Sequence, residues 1–191
     1  MADRLANRWN STSAGLRSPD EGLETTALLL EDPELAQFLR RRCDVVTDLL
    51  RSAADAAHGH GARLATAGPI WARPLAYGWL EGLLPARTTQ VVDRLYLLAY
   101  HDQVPGVARD VDVAVGAGAP ENYAMVQTLW PDQHGGSADV LAAKVRVALD
   151  AGITSIGLYN FATAPAPALQ WIPAIAELVH ATAQSGEATR T

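Results

Sequence analysis

The chain has a single cysteine, Cys43, among 191 residues. A lone cysteine excludes an internal disulfide, and no cysteine-rich zinc pattern can be built from it. Positive charge is also short: 15 Lys and Arg stand against 21 Asp and Glu, a net charge of −6. That balance leaves no basic footprint, which argues against nucleic acid and against an anionic membrane surface as partners. No apolar run approaches the ~18 residues of a membrane span. The opening residues MADRLANRWNSTS lack the apolar centre of a signal peptide, so the expected compartment is the cytoplasm. Several chemistry-bearing motifs are missing as well. There is no GxGxxG after an apolar run, no GxxxxGK(S/T), no GxSxG and no HExxH. Gly116-Ala117-Gly118 ends a helical stretch rather than opening one, so it is no phosphate cradle, and no cofactor is expected.

What the sequence does contain is a period. Four apolar runs alternate with helix-like stretches: Arg63–Ile70, Arg94–Tyr100, Tyr123–Trp130 and Ile153–Phe161. Equivalent positions are Leu64, Leu95, Val126 and Ile156, at spacings of 31, 31 and 30 residues. Strand–helix alternation at this pace implies a parallel sheet. It is also the pace of a (β/α)8 barrel, which needs eight strands and about 250 residues. The expected fold class is therefore α/β, with four βα units forming half of a (β/α)8 TIM barrel with parallel strands, preceded by a long helix.

The long helix opens at Asp32-Pro33-Glu34, an N-cap, a first-turn proline and a first-turn acid, and runs to about Ala57. Leu35, Phe38, Leu39, Val46, Leu49, Leu50 and Ala53 give it one apolar stripe. Arg40, Arg41 and Arg42 read as a solvated face. Residues 71–92 read as a long loop with a short helix after it. Helices are expected from about Val104 to Val115 (Val107, Val111 and Ala114 inward), from about Ser137 to Ala151, and over about 165–183. In the fourth strand, Ile156 and Leu158 are expected on one face and Ile153 on the other. By this reading residues 1–31 form a poorly patterned N-terminal arm, 32–183 the half-barrel domain, and 184–191 a flexible tail.

In parallel α/β sheets, ligands bind at the C-terminal ends of the strands. That rule selects Trp71 and Arg73 after the first strand and Tyr100, His101 and Asp102 after the second. It adds Gln127, Trp130, Asp132 and His134 on or after the third, and Tyr159 and Asn160 at the fourth. Aromatics, amides, carboxylates and imidazole together suit a polyhydroxylated ligand, whose ring faces pack on aromatics while its hydroxyls find polar partners. Asp102 and Asp132 are the carboxylates available for catalysis; Trp71, Arg73, Tyr100, His101, Gln127, Trp130, Tyr159 and Asn160 are the candidate substrate contacts. Plainer roles compete with these. Tyr100 and Tyr159 suit a barrel core, and Asp102 suits the N-cap of the helix starting near Val104. Asp132 and His134 have no third ligand fixed by spacing, so no metal site is expected.

Three stretches resemble the C-terminal half of glycoside-hydrolase-like TIM barrels of bacteria: residues 32–50, 94–102 and above all 151–172. The last strand of such barrels reads G…YNY…LDWI, matched here by Gly152, Tyr159, Asn160, Leu169, Trp171 and Ile172. The resemblance implies that the four strands are β5 to β8 of a barrel and that Pro33–Ala57 is the helix after its β4. It further implies an acid/base at the end of β4 and a nucleophile at the end of β7. The β4 region has no counterpart, and the β7 analogue, Tyr123–Trp130, carries no Glu or Asp, Asp132 lying just past it. Glycoside hydrolysis ordinarily uses two carboxylates at a set separation. The expectation is thus a partial or degenerate glycoside-hydrolase-like barrel that acts on or binds carbohydrate. A homodimer or a complementary half-barrel chain would supply the second half. A non-catalytic carbohydrate-binding or interaction protein, or a small parallel α/β protein with an unrelated metabolite site, are the alternatives.

Overall fold

The computed structural model describes residues 31–68, 82–129 and 136–188. Helix α1 (Pro33–Gly59) starts as its sequence signals: the Asp32 carboxylate accepts the Leu35 N–H at 3.1 Å, and Pro33 occupies the first turn. Leu35, Leu39, Cys43, Thr47 and Ala54 form its buried side. The expected single stripe divides in two. Phe38, Val45 and Leu49 share a flank that stays exposed, Leu49 to 67 %. The short helix α2 (Pro85–Thr88) follows, tied to α1 by the Arg87–Asp44 ion pair at 2.9 Å.

Four strands make one sheet: β1 (Ala65–Gly68), β2 (Arg94–Leu98), β3 (Tyr123–Thr128) and β4 (Ile156–Tyr159). They lie in sequence order and every pair is parallel. Helices α3 (Val104–Ala117) and α4 (Ala138–Asp150) supply the crossovers, as parallel neighbours require. The register aligns Gly68, Leu97, Met125 and Ile156, and beside them Gln127 with Leu158. Leu95, Leu97, Ala99, Tyr123, Met125 and Leu129 join Val107, Val111 and Ala114 of α3 and Leu141, Val145 and Ala148 of α4 in one buried core. Successive side chains on a strand point to opposite faces. Tyr96, Leu98, Val126 and Tyr159 therefore lie on the other face, and none belongs to that core.

Element boundaries differ from the sequence reading for local reasons. Beyond β2 the backbone tightens: the Ala99 N–H donates to the carbonyls of both Leu97 and Val126, and the His101 N–H donates to Ala99. Ile153 precedes β4 rather than sitting in it; its N–H donates to the Ala148 carbonyl, and its side chain enters the same core as Met125. The expected last helix is two, α5 (Ala166–Leu169) and α6 (Ile172–Ala188). Pro173 accounts for the break, since it lacks an N–H for the Leu169 carbonyl and its ring would crowd that oxygen. Helix α6 also continues past residue 183 to Ala188, into the stretch read as a tail. Among the described residues, no helix is long and apolar enough to cross a membrane.

Candidate functional site

The C-terminal ends of β2, β3 and β4 carry polar and aromatic residues on both sides of the sheet, and the two sides differ. On the helix side the centre is His101. Its Nε2 lies 2.6 Å from a carboxylate oxygen of Asp110, which is buried in α3. The Lys144 ammonium, reaching up from α4, donates to the His101 carbonyl. One step below, the Gln127 side-chain amide donates to the Ala99 carbonyl. The tightened backbone after β2 is thus held by two buried side chains from β3 and α4. The Gln127 Oε1 is buried with no protein partner. An orphaned buried acceptor is costly, so this oxygen is a seat for an ordered water or a ligand donor.

Lys144 has no exposed surface, and burial lowers its amine below the ordinary 10.5, with the Asp102 charge acting in the opposite direction. Gly106 explains how His101 can sit so close to α3. A Cβ at residue 106 would stand 2.5 Å from the His101 Cγ and 2.6 Å from its Nδ1. Only glycine lets the ring lie against the first turn of the helix.

On the opposite face Tyr100 and Tyr159 stack, with ring centroids 6.0 Å apart and planes 20° from parallel. This offset pair is within the range of favourable aromatic contact. Burial pushes the Tyr100 phenol up, and Tyr159 adds to the shift. Tyr159 is 54 % exposed, so the pair presents an open aromatic surface rather than a filled core. Asn160 follows across a cis peptide bond, and its Oδ1 accepts the Ala162 N–H at 3.3 Å, capping a short 3-10 turn at Phe161–Thr163.

The residues singled out in the sequence therefore separate. Tyr100, Tyr159 and Asn160 come together at the ends of β2 and β4. His101 and Gln127 belong to the helix-side cluster. Asp102 is exposed in the bend before α3; the N-cap of that helix is Gln103, and no side chain caps it. Trp71, Arg73, Trp130, Asp132 and His134 lie outside the described residues. Among the described residues no cluster of three His, Cys, Asp or Glu is arranged to hold a metal ion. Asp110 and Lys144 were not anticipated. Their signal was a charged residue at an inward helical position: Asp110 lies between Val107 and Ala114 on the buried side of α3, and Lys144 beside Leu141, Val145 and Ala148 on that of α4.

No protein-family model matches the chain, and no curated protein and no solved structure matches it.

Two outcomes test this geometry. Replacing a helical glycine by alanine ordinarily stabilises by up to ~1 kcal/mol. Gly106→Ala should instead destabilise, by roughly 1–3 kcal/mol for overpacking, as read by urea denaturation; a stabilised variant would mean that His101 does not lie against α3. The second concerns pH. Because the folded protein lowers the Lys144 pKa, it binds fewer protons there than the unfolded chain as pH approaches 10.5, so stability should rise with pH in that window. Tyr100 and Tyr123, held above 10 by burial, act in the reverse direction at higher pH. Subtracting the Lys144→Met profile from that of the wild type removes their contribution, and the difference should slope upward between about pH 8 and 10. A flat difference would mean a solvated ammonium.

Proposed function

We propose that this chain is one half of a (β/α)8-type barrel, related to the glycoside-hydrolase-like proteins it resembles. The sheet face opposite α3 and α4 binds carbohydrate at the C-terminal strand ends. The observation that carries the reading is the Tyr100–Tyr159 stack, an exposed aromatic platform where parallel α/β sheets bind their ligands. Aromatic faces take the C–H surface of a sugar ring, and neighbouring polar groups select its hydroxyls. Sequential parallel order with the core on one side supports the barrel half, because a closed barrel is this same arrangement continued through eight strands.

Hydrolysis requires more than these residues offer. Of the carboxylates following β2, Asp110 is buried and engaged by His101, Asp112 is exposed along α3, and Asp102 is exposed in the bend at the strand's end. Among the described residues Asp102 is thus the one exposed carboxylate beside the strand ends, and a single carboxylate cannot serve both as acid/base and as nucleophile or water activator. The isolated chain is expected to bind a sugar and to leave it intact, with catalysis depending on carboxylates from a complementing half.

The test is calorimetric titration with neutral gluco-, galacto- and manno-oligosaccharides. At least one series should bind, and Tyr159→Ala should weaken it about tenfold, roughly 1.4 kcal/mol, without changing the far-ultraviolet circular dichroism. Absence of binding by every series, or equal binding by the variant, would remove the aromatic platform as a sugar site.

A further inference from the structure

We propose that the groove between α1 and α2 is a binding site for a small hydroxylated molecule carrying one phosphate group. The site is separate from the aromatic platform assigned above to neutral sugars. Gln90 and Val91, on its wall, lead into the N-terminal end of β2, whereas Tyr100 lies beyond the other end of that strand.

The groove is a cavity of about 540 Å³, within the roughly 300–1,000 Å³ of small-molecule sites. Arg41, Asp44, Asp48 and Arg51 recur at intervals of three and four along α1, which sets them on one face of the helix. Arg87 of α2 meets that face through Asp44. Three guanidinium groups against two carboxylates leave a net charge of +1 (3 − 2). The ion pairs are single contacts: Arg51 Nη1 donates to Asp48 Oδ1 at 2.6 Å, and Arg87 Nη1 to Asp44 Oδ1 at 2.9 Å. Each guanidinium keeps further N–H donors, and each carboxylate keeps a second oxygen. Two side chains on the same wall are unspent. The exposed Arg41 guanidinium makes no ion pair or hydrogen bond among the described residues. Thr47 is only 7 % exposed and lines the groove, yet its hydroxyl has no hydrogen-bond partner among the described residues. Buried hydroxyls are ordinarily paired. One left open on the wall of a charged groove is a seat for a ligand oxygen.

The donors and acceptors select the ligand. A guanidinium fork matches two phosphate oxygens with parallel N–H bonds, and Arg41 has its whole fork to offer. Asp44 and Asp48 set the limit. They repel further negative charge, so the groove takes one phosphate and disfavours a chain of them. A nucleic-acid backbone would need a longer run of positive charge than one groove holding two acids. The second oxygens of Asp44 and Asp48 accept O–H groups, and the Gln90 amide can donate or accept. These partners fit hydroxyls on the body that carries the phosphate.

The probe is glucose 6-phosphate, with inorganic phosphate as its comparison, titrated into the full chain and followed by nuclear magnetic resonance. Binding should saturate with a dissociation constant of about 1 mM or tighter and move the amide signals of residues 41–51 and of Gln90. Inorganic phosphate should bind more weakly, since it lacks the hydroxyls. Arg41→Gln, an exposed change that breaks no contact among the described residues, should weaken binding about tenfold. Thr47→Val should weaken it about fivefold with the far-ultraviolet circular dichroism unchanged. Arg40→Gln, one residue away and not on the groove wall, should leave it unaltered. No saturable binding, signals moving elsewhere, or equal losses from Arg40→Gln and Arg41→Gln would each overturn the proposal, the last by showing diffuse charge attraction. Inorganic phosphate binding as tightly as the ester would overturn the hydroxylated body. Tyr159→Ala should leave this binding intact, so failure of the neutral-sugar reading and failure of this one are separate results.

Discussion

The fold depends on the burial of one face of a four-stranded parallel sheet, with β3 at its centre. Tyr123, Met125 and Leu129 have essentially no exposed surface, and they meet Leu95 and Leu97 on one side and Ile156 and Leu158 on the other. Burying a residue of this size contributes roughly 1.5–3 kcal/mol, so the row holds the sheet together while the inward stripes of α3 and α4 close over it. Everything at the strand ends inherits its position from this row. Gln127 is two residues beyond Met125 and so points into the helix layer, where it ties down Ala99. Tyr159 is one residue beyond Leu158 and so points the other way, where it meets Tyr100.

Much of this was legible in the sequence because it follows from periodicity. The spacing of Leu64, Leu95, Val126 and Ile156 gave the alternation, and the structure has an all-parallel sheet in that order. Asp32-Pro33-Glu34 marked the start of α1 because capping is a local matter. What was hidden was tertiary. Phe38 and Leu49 lie within an apolar stripe by spacing, yet the described residues cover only the side carrying Leu35, Leu39 and Cys43. Pro173 divided the last helix, a local effect that the apolar spacing of Leu169, Ile172 and Ile175 obscured.

The candidate site was legible only in part, for a related reason. The strand-end rule selects positions along the chain but not the face to which each side chain turns. It grouped His101 and Gln127 with Tyr100 and Tyr159, whereas the pleat and the tightened backbone after Ala99 send them to opposite sides. Asp110 and Lys144 were passed over because charged residues on a helix are usually solvated. Here they are buried with partners: Asp110 against the His101 ring, and Lys144 under the His101 carbonyl. Their burial links two consecutive βα units at one point, which gives the loop after β2 a fixed shape beside the aromatic pair.

The central claim is a four-stranded parallel sheet with one buried face, whose β4 edge carries no further strand among the described residues. Amide hydrogen exchange of the isolated chain, followed by nuclear magnetic resonance, tests it most directly. Gly157 and Tyr159, whose backbone groups turn toward β3, should exchange slowly. Ile156 and Leu158, facing outward, should exchange quickly, so protection should alternate along the strand. Uniformly slow exchange across residues 156–159 would mean that a further segment covers this edge, and the account of β4 as an edge strand would be contradicted.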